Sequence, residues 1–165
     1  MAATEQIKEL RELTGAGVLD CKRALEQACG NTTNALEILK QKGLATVEKK
    51  AKREVRQGLV EAYIHTKGRI GALIEVNCET DFVAQTDELK DLAHNLAMQV
   101  AAADPVCIAA GDAPESVDPQ QACLLLQPFI KDPSKTIQDI VNEAIARLGE
   151  NIKVRRFVRF ELAKE

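Results

Sequence analysis

The sequence predicts an α+β protein: three short helices, then a three-stranded antiparallel sheet that helices cover on one face. Three observations predict it. Residues 5–43 hold three runs of apolar residues at helical spacing, each cut off by glycine. Residues 59–78 alternate apolar and polar positions on both sides of Thr66-Lys67-Gly68-Arg69, as a β-hairpin does. A long apolar stripe at helical spacing fills residues 89–101, and a second such stripe precedes an alternating C-terminal segment.

The first helix presents Ile7, Leu10 and Leu13 to a core and stops at Thr14-Gly15-Ala16-Gly17. The second starts at Val18, aligns Cys21, Ala24, Leu25 and Ala28 on one face, and takes Gly30 as a left-handed cap. Asn31-Thr32-Thr33 offers an N-cap to the third, which turns Leu36 and Leu39 inward and stops at Gly43. The charged run "VEKKAKREVRQG" (47–58) lacks a wide apolar face and reads as a solvated connecting helix. In the hairpin, Val60, Ala62 and Ile64 share one face of the first strand, and Ala72, Ile74, Val76 and Cys78 repeat the pattern on the return strand.

Thr86 caps the next helix, with Asp87 and Glu88 in the first turn where carboxylates suit the dipole. Its stripe runs Leu89, Leu92, Ala93, Leu96, Ala97, Val100 and Ala101, and Asp104-Pro105 ends it. Residues 105–118 read as mostly loop, Asp118-Pro119 starts a short helix, and "QPFIKDPSKT" (127–136) reads as extended. Thr136 with Asp139 caps a helix of Ile137, Ile140, Val141, Ala144, Ile145 and Leu148, which Gly149 closes. In the last strand, "NIKVRRFVRFEL", Val154, Val158, Phe160 and Leu162 would share a face. Arg156 breaks that alternation, as a bulge or an edge position would explain.

Apolar residues make up 45% and charged residues 28% of the 165, the balance of a globular protein. A net charge of −3 gives no bulk attraction to nucleic acid or to a membrane. The charge is uneven: residues 1–56 carry +3 and residues 57–165 carry −6, which suits two surfaces facing different parts of one partner. The basic run at 47–58 has no interleaved aromatics and contains Glu48 and Glu54, so direct nucleic-acid binding is not expected. No stretch approaches the roughly 18 apolar residues of a membrane span, and MAATEQIKEL has neither the basic nor the apolar region of a signal peptide. Five cysteines without a C-x-x-C suit packed thiols in a reducing cytoplasm, bacterial or the equivalent plastid stroma.

Catalytic signals are weak. His65 and His94 have no carboxylate or cysteine at a diagnostic spacing, and packing explains Cys78 better than nucleophilic chemistry with either histidine. No nucleotide-binding glycine loop, nucleophile elbow, metal-ligand cluster or cofactor motif occurs. A binding protein is the expectation. Its most informative residue is Phe82, one of only five aromatics, set in "VNCETDFVAQTDELKDL" at the corner where strand gives way to helix. Two readings compete there. Phe82 packs onto the first helical turn as a staple, or it projects beside Asp81 as an aromatic interface anchor.

"TGAGVLDCKRAL" (14–25), "EVNCETDFVA" (75–84), "QPFIKDPSKT" (127–136) and "GENIKVRRFVRFEL" (149–162) together resemble the elongation factor Ts family, the nucleotide exchange factors of the GTPase elongation factor Tu. The resemblance spans nearly the whole chain and is weakest over 104–122. It implies a small helical domain similar to ubiquitin-associated domains (1–46), the connecting helix (47–58), and an α+β core and dimerisation domain (59–165). It also implies that Thr80, Asp81, Phe82 and Val83 meet the GTPase, with Phe82 wedged between helices near the magnesium site. Arg11, Val18, Leu19 and Lys22 match the positions through which the helical domain touches the GTPase; the family commonly has methionine where Leu19 stands, a volume-conserving exchange.

Long members carry two core subdomains, and this chain has room for one. The resemblance therefore implies a short form whose second module comes from a second copy: a homodimer, hence a 2:2 complex. A rival reading is a ubiquitin-associated-type module that captures a peptide or nascent chain, fused to a dimerisation domain. Its loop, Thr14-Gly15-Ala16-Gly17, lacks the bulky apolar residue such loops often present.

Overall fold

Residues 2–163 are described by a computed structural model of the chain. Helix α1 (Ala2–Thr14) ends where Gly15 turns left-handed, and Thr14 Oγ1 donates back to the Leu10 carbonyl at 2.6 Å. Helix α2 (Val18–Gln27) closes with positive φ at both Cys29 and Gly30, and the Gly30 N–H donates to the Leu25 carbonyl at 2.8 Å. Asn31 caps α3 (Thr32–Lys50), its side chain accepting from the Asn34 N–H at 3.0 Å. Leu10, Cys21, Ala24, Leu25, Ala35 and Leu39 fill the small core these helices share. Leu13, expected inside, is exposed: Leu10 fills this small core and Ile7 half-enters it, leaving the last turn of α1 outside.

Two further expectations about this region are corrected. Gly43 does not stop α3. It lies within the helix and faces a later one, where a Cβ would make ordinary van der Waals contact with the Ala146 Cβ at 3.7 Å. The segment 47–58 is not a separate connecting helix. Val47–Lys50 finish α3, residues 51–53 turn, and Gln57 opens the first strand. Val47 packs on the main core and Lys50 Nζ donates to the Gly149 carbonyl, so tertiary contacts carry the helix past its glycine.

Beyond α3 come β1 (Gln57–Ile64), β2 (Ile70–Cys78), the one-turn α4 (Asp81–Ala84) and α5 (Asp87–Ala103). Next are α6 (Pro119–Ala122), the short pair β3 (Pro128–Phe129) and β4 (Asp132–Thr136), α7 (Ile137–Leu148) and β5 (Lys153–Glu161). The main sheet is antiparallel in the order β1-β2-β5, with α5 packed across it and α7 against α5. The pairing of β3 with β4 adds a second, two-stranded sheet where an extended run was expected. The buried Gln99 of α5 holds that hairpin: its amide donates to the Pro128 carbonyl at 3.2 Å and accepts from the Ile130 N–H at 3.0 Å. None of the described helices is long and apolar enough to cross a membrane.

The faces of the sheet need correction. Ala72, Ile74, Val76 and Cys78 do lie inward, under α5. Antiparallel partners share a face, so Leu59, Glu61 and Tyr63 of β1 point inward with them, opposite Val76, Ile74 and Ala72. Val60, Ala62 and Ile64 do share one face of β1, and it is the outer one, where Val60 and Ile64 are 64% and 66% exposed. In β5 a bulge falls between the pairs Glu75–Arg156 and Val76–Val154, which leaves Arg155 as the extra residue. The bulge shifts the phase. Val154 and Phe157 pack toward the core, while Val158, Phe160 and Leu162, expected to share Val154's face, are exposed. Across the outer face, Ala62, Leu73 and Val158 form one apolar row and Ile64, Gly71 and Phe160 the next.

Candidate functional site

The corner after β2 is built from two helix caps in succession. Thr80 caps α4, its hydroxyl accepting from the Val83 N–H at 3.4 Å while its carbonyl accepts from the Ala84 N–H at 3.2 Å. Thr86 caps α5, accepting from the Leu89 N–H at 3.2 Å and donating to the Val83 carbonyl at 2.8 Å. A helix of one turn can give only one side to the protein. Ala84 and Val83 take that side, buried and half-buried against the main core. Phe82 is thereby turned outward and is 88% exposed. The staple reading of Phe82 is thus corrected: its ring does not pack onto the first helical turn. Asp81 beside it is also exposed and accepts from the Gln85 amide at 2.7 Å.

Behind the corner lies a cluster of polar contacts. One oxygen of Glu150, Oε2, accepts from the backbone N–H groups of Glu79 and Thr80 at 3.1 and 3.0 Å. Its other oxygen accepts from the Thr80 hydroxyl at 2.6 Å. Glu79 reciprocates: its Oε1 accepts from the Asn151 N–H at 2.6 Å, and its Oε2 lies 3.4 Å from the Arg53 guanidinium. Asn151, buried, donates its amide to the carbonyls of Arg53 at 2.8 Å and Ala51 at 3.4 Å. Sequence reasoning passed over Glu150, because its partners lie some seventy residues away and no local pattern signals them. Its only signal is its place in the "GENI" stretch after a helix-closing glycine.

The four residues of the N-terminal unit, Arg11, Val18, Leu19 and Lys22, are all exposed. Val18 and Leu19 open α2 as adjacent apolar side chains in solvent, and Lys22 lies 3.9 Å from Glu26 one turn on. Thr80, Asp81, Phe82 and Val83 are brought together at the corner by chain continuity. Among the described residues, no hydrogen bond or ion pair joins them to the N-terminal four.

Cys78 sits directly beneath the corner, its thiol donating to the Thr80 carbonyl at 3.1 Å. Burial first, then the nearby carboxylate of Glu150, push this thiol up to about 11, so it stays protonated and unreactive near neutrality. The two histidines are engaged elsewhere: His94 Nδ1 is 3.0 Å from Glu61, and His65 Nδ1 is 3.2 Å from the Tyr63 hydroxyl. Among the described residues, neither histidine is hydrogen-bonded to the thiol. Among the described residues no group of three or more His, Cys, Asp or Glu side chains is placed to hold a metal ion.

The class this fold and corner define is an α+β protein whose distinctive residues stand on its exterior, on a braced turn and at a helix start. The family is specific: the chain belongs to the elongation factor Ts family of translation elongation factors. The family model described as elongation factor TS matches residues 2–120, which include both the corner and the N-terminal helices. Similar curated proteins named elongation factor Ts come from Moorella thermoacetica, at 50% identity covering 99% of this chain and 97% of that protein. Others come from Carboxydothermus hydrogenoformans, at 48% covering 99% and 90%, and Thermotoga maritima, at 47% covering 96% and 94%. The first two alignments run over 196 positions against a chain of 165 residues, so those relatives hold inserted residues that this chain lacks.

Proposed function

We propose that this protein binds GDP-bound elongation factor Tu and promotes GDP release by inserting Asp81 and Phe82 near the GTPase's magnesium site. The observation that carries this reading is a phenylalanine, 88% exposed, on a one-turn helix fixed at both ends, in a member of the elongation factor Ts family. Soluble proteins do display single apolar side chains, but a whole aromatic ring held clear of its own core is a common form of interface anchor.

Exchange requires only that the factor bind the nucleotide-free GTPase better than the GDP-bound one. The coupling is reciprocal: factor binding weakens GDP, and returning nucleotide expels the factor. The factor makes and breaks no covalent bond. An acceleration of about four decades corresponds to about 5.5 kcal/mol. Burying a phenylalanine side chain of about 150–200 Å² at about 25 cal/mol per Å² supplies up to about 4–5 kcal/mol. One ring thus accounts for much of the effect. Magnesium is sensitive to such a wedge because it holds a near-ideal octahedral shell at about 2.0–2.1 Å.

Arg11, Val18, Leu19 and Lys22 form a second contact in this reading, setting register and affinity. Their exposure beside the glycine-turned loop supports it. The helical part ending with α3 and the α+β part beginning at β1 act as separate domains, a division their separate apolar clusters favour. The outer face of the sheet, with Ile64, Leu73, Val158 and Phe160 exposed in adjacent rows, is the surface through which two copies pair, giving a 2:2 assembly with the GTPase in the cytoplasm. Neither nucleic acid nor a membrane is a direct partner.

The test is Phe82→Ala in a fluorescent-GDP stopped-flow assay. The variant keeps its fold and most of its affinity for elongation factor Tu and slows factor-stimulated GDP release by at least about tenfold. Equal release rates for the two proteins would falsify the wedge.

A further inference from the structure

We infer that Glu150 is a positioning residue for the Phe82 contact: its carboxylate sets the corner from which the ring projects. This rests on the reading of Phe82 as a wedge and goes beyond it by locating what the wedge is braced against.

The ring does not brace itself. At 88% exposure its side chain has little protein around it, so its direction is fixed only by the backbone of α4. Four residues are too few to hold helical geometry unaided, because the first turn fixes several torsions for a single hydrogen bond. The far end of α4 is tied by Thr86, whose hydroxyl reaches the Val83 carbonyl. The near end is tied by Glu150. Its two oxygens take two consecutive backbone N–H groups, of Glu79 and Thr80, together with the Thr80 hydroxyl. That hydroxyl is also the cap of α4. By donating to Glu150 it leaves a lone pair for the Val83 N–H, so the carboxylate orients the cap as well as holding the chain before it.

Glu150 is itself held firmly. It follows Gly149, whose left-handed φ of 74° closes α7, and precedes Asn151, which is buried and bonded to Glu79 and to the carbonyls of Ala51 and Arg53. Force on the ring passes through α4 and the Glu79-Thr80 backbone to the end of a twelve-residue helix and the start of β5. A wedge without such backing would swing aside and leave the partner undisturbed. Positional errors of this kind are costly out of proportion to their size, because the work is done by geometry.

The experiment is a double-mutant cycle on the full chain, reading GDP release from elongation factor Tu at saturating factor. Glu150→Ala in the wild-type background lowers the maximal release rate by at least about fivefold, with the half-saturating concentration changed by less than about twofold. In the Phe82→Ala background the same change costs less than about twofold, because no ring is left to position. Amide hydrogen exchange supplies a separate readout: the Glu79 and Thr80 N–H groups lose protection in Glu150→Ala while those of α5 keep it. Should Glu150→Ala melt below the assay temperature, Glu150→Gln carries the cycle. It keeps a carbonyl acceptor but not the second anionic oxygen, and lowers the maximal rate by about threefold.

A Glu150 penalty of equal size in both backgrounds, or an unchanged rate in Glu150→Ala with Phe82→Ala still slow, overturns the positioning role and leaves the wedge standing. A Phe82→Ala rate equal to wild type removes the wedge and this inference together.

Discussion

Both faces of the three-stranded sheet carry apolar side chains, and they have opposite surroundings. The inner face, with Ala72, Ile74, Val76 and Cys78 at its centre, lies sealed under α5. It also takes in Glu61, which is paired with His94, and Arg159, which donates to the Ala101 carbonyl at 3.0 Å at the end of α5. The outer face has Val60, Ile64, Leu73, Val158 and Phe160 in solvent, interrupted by a single ion pair of Glu75 with Arg156 at 2.7 Å. The comparison teaches that an apolar side chain on a strand is not thereby covered. The covered face is where α5 and α7 can deliver matching stripes, and long polar side chains at its margin reach helix partners instead of water.

The sharpest way to break this contrast is to cut a side chain from the inner face. Ile74→Ala removes a residue with 1% exposure and is expected to cost about 2–5 kcal/mol, read as a lower urea midpoint at an unchanged slope. A loss below about 1 kcal/mol would mean the inner face is not the core. Charging the outer face comes next. Ile64→Lys with Phe160→Lys is expected to leave the stability of the single chain within about 1 kcal/mol while halving the mass seen by light scattering at micromolar concentration. A wild-type protein already monomeric under those conditions would show that this face pairs with nothing.

The smallest effect belongs to the ion pair. Hydrogen bonding from Arg156 holds the Glu75 carboxyl below the usual carboxylate range against the opposing effect of burial, with a lesser contribution from Asn77. Its stabilising contribution is therefore full above the ordinary glutamate range and is lost as pH falls through the lowered value. Glu75→Gln should lower the melting temperature slightly at neutral pH and leave the acid end unchanged, which flattens the acid side of a plot of melting temperature against pH. Added salt should shrink even that difference, since the pair is solvent-facing.

Much of this architecture could be read from residue patterns, and the misreadings share a cause. Helix starts at Thr86 and Thr136 were legible because capping is local chemistry: the Thr136 hydroxyl and the Asp139 carboxylate complete a reciprocal box within four residues. Strands were legible as alternation. Which side of β1 faces inward was not, because Leu59 and Tyr63 on one side match Val60 and Ile64 on the other, and only the position of α5 decides. Arg156 announced an irregularity in β5, but the phase shift that moved Phe160 outward depends on the bulge's register against β2. Gly43 misled because its local cost is about 1 kcal/mol, which the packing of α3 on α7 outweighs. At the corner, the identity of Phe82 was visible and its direction was not. The brace at Glu150 lay out of reach because it closes over some seventy residues.

The continuity of α3 has a practical consequence for dissecting the molecule. A cut at residue 46 would pass through the rod between two of its hydrogen-bonded turns and expose ragged ends on both pieces. A cut in the irregular stretch 54–56, just past the turn that follows Lys50, leaves the helix whole, although it parts Val47 and Lys50 from their contacts with the α+β part. Fragments, chimaeras or grafted N-terminal helices joined there would inherit an intact shaft, so the orientation of the leading helices travels with the piece that contains it.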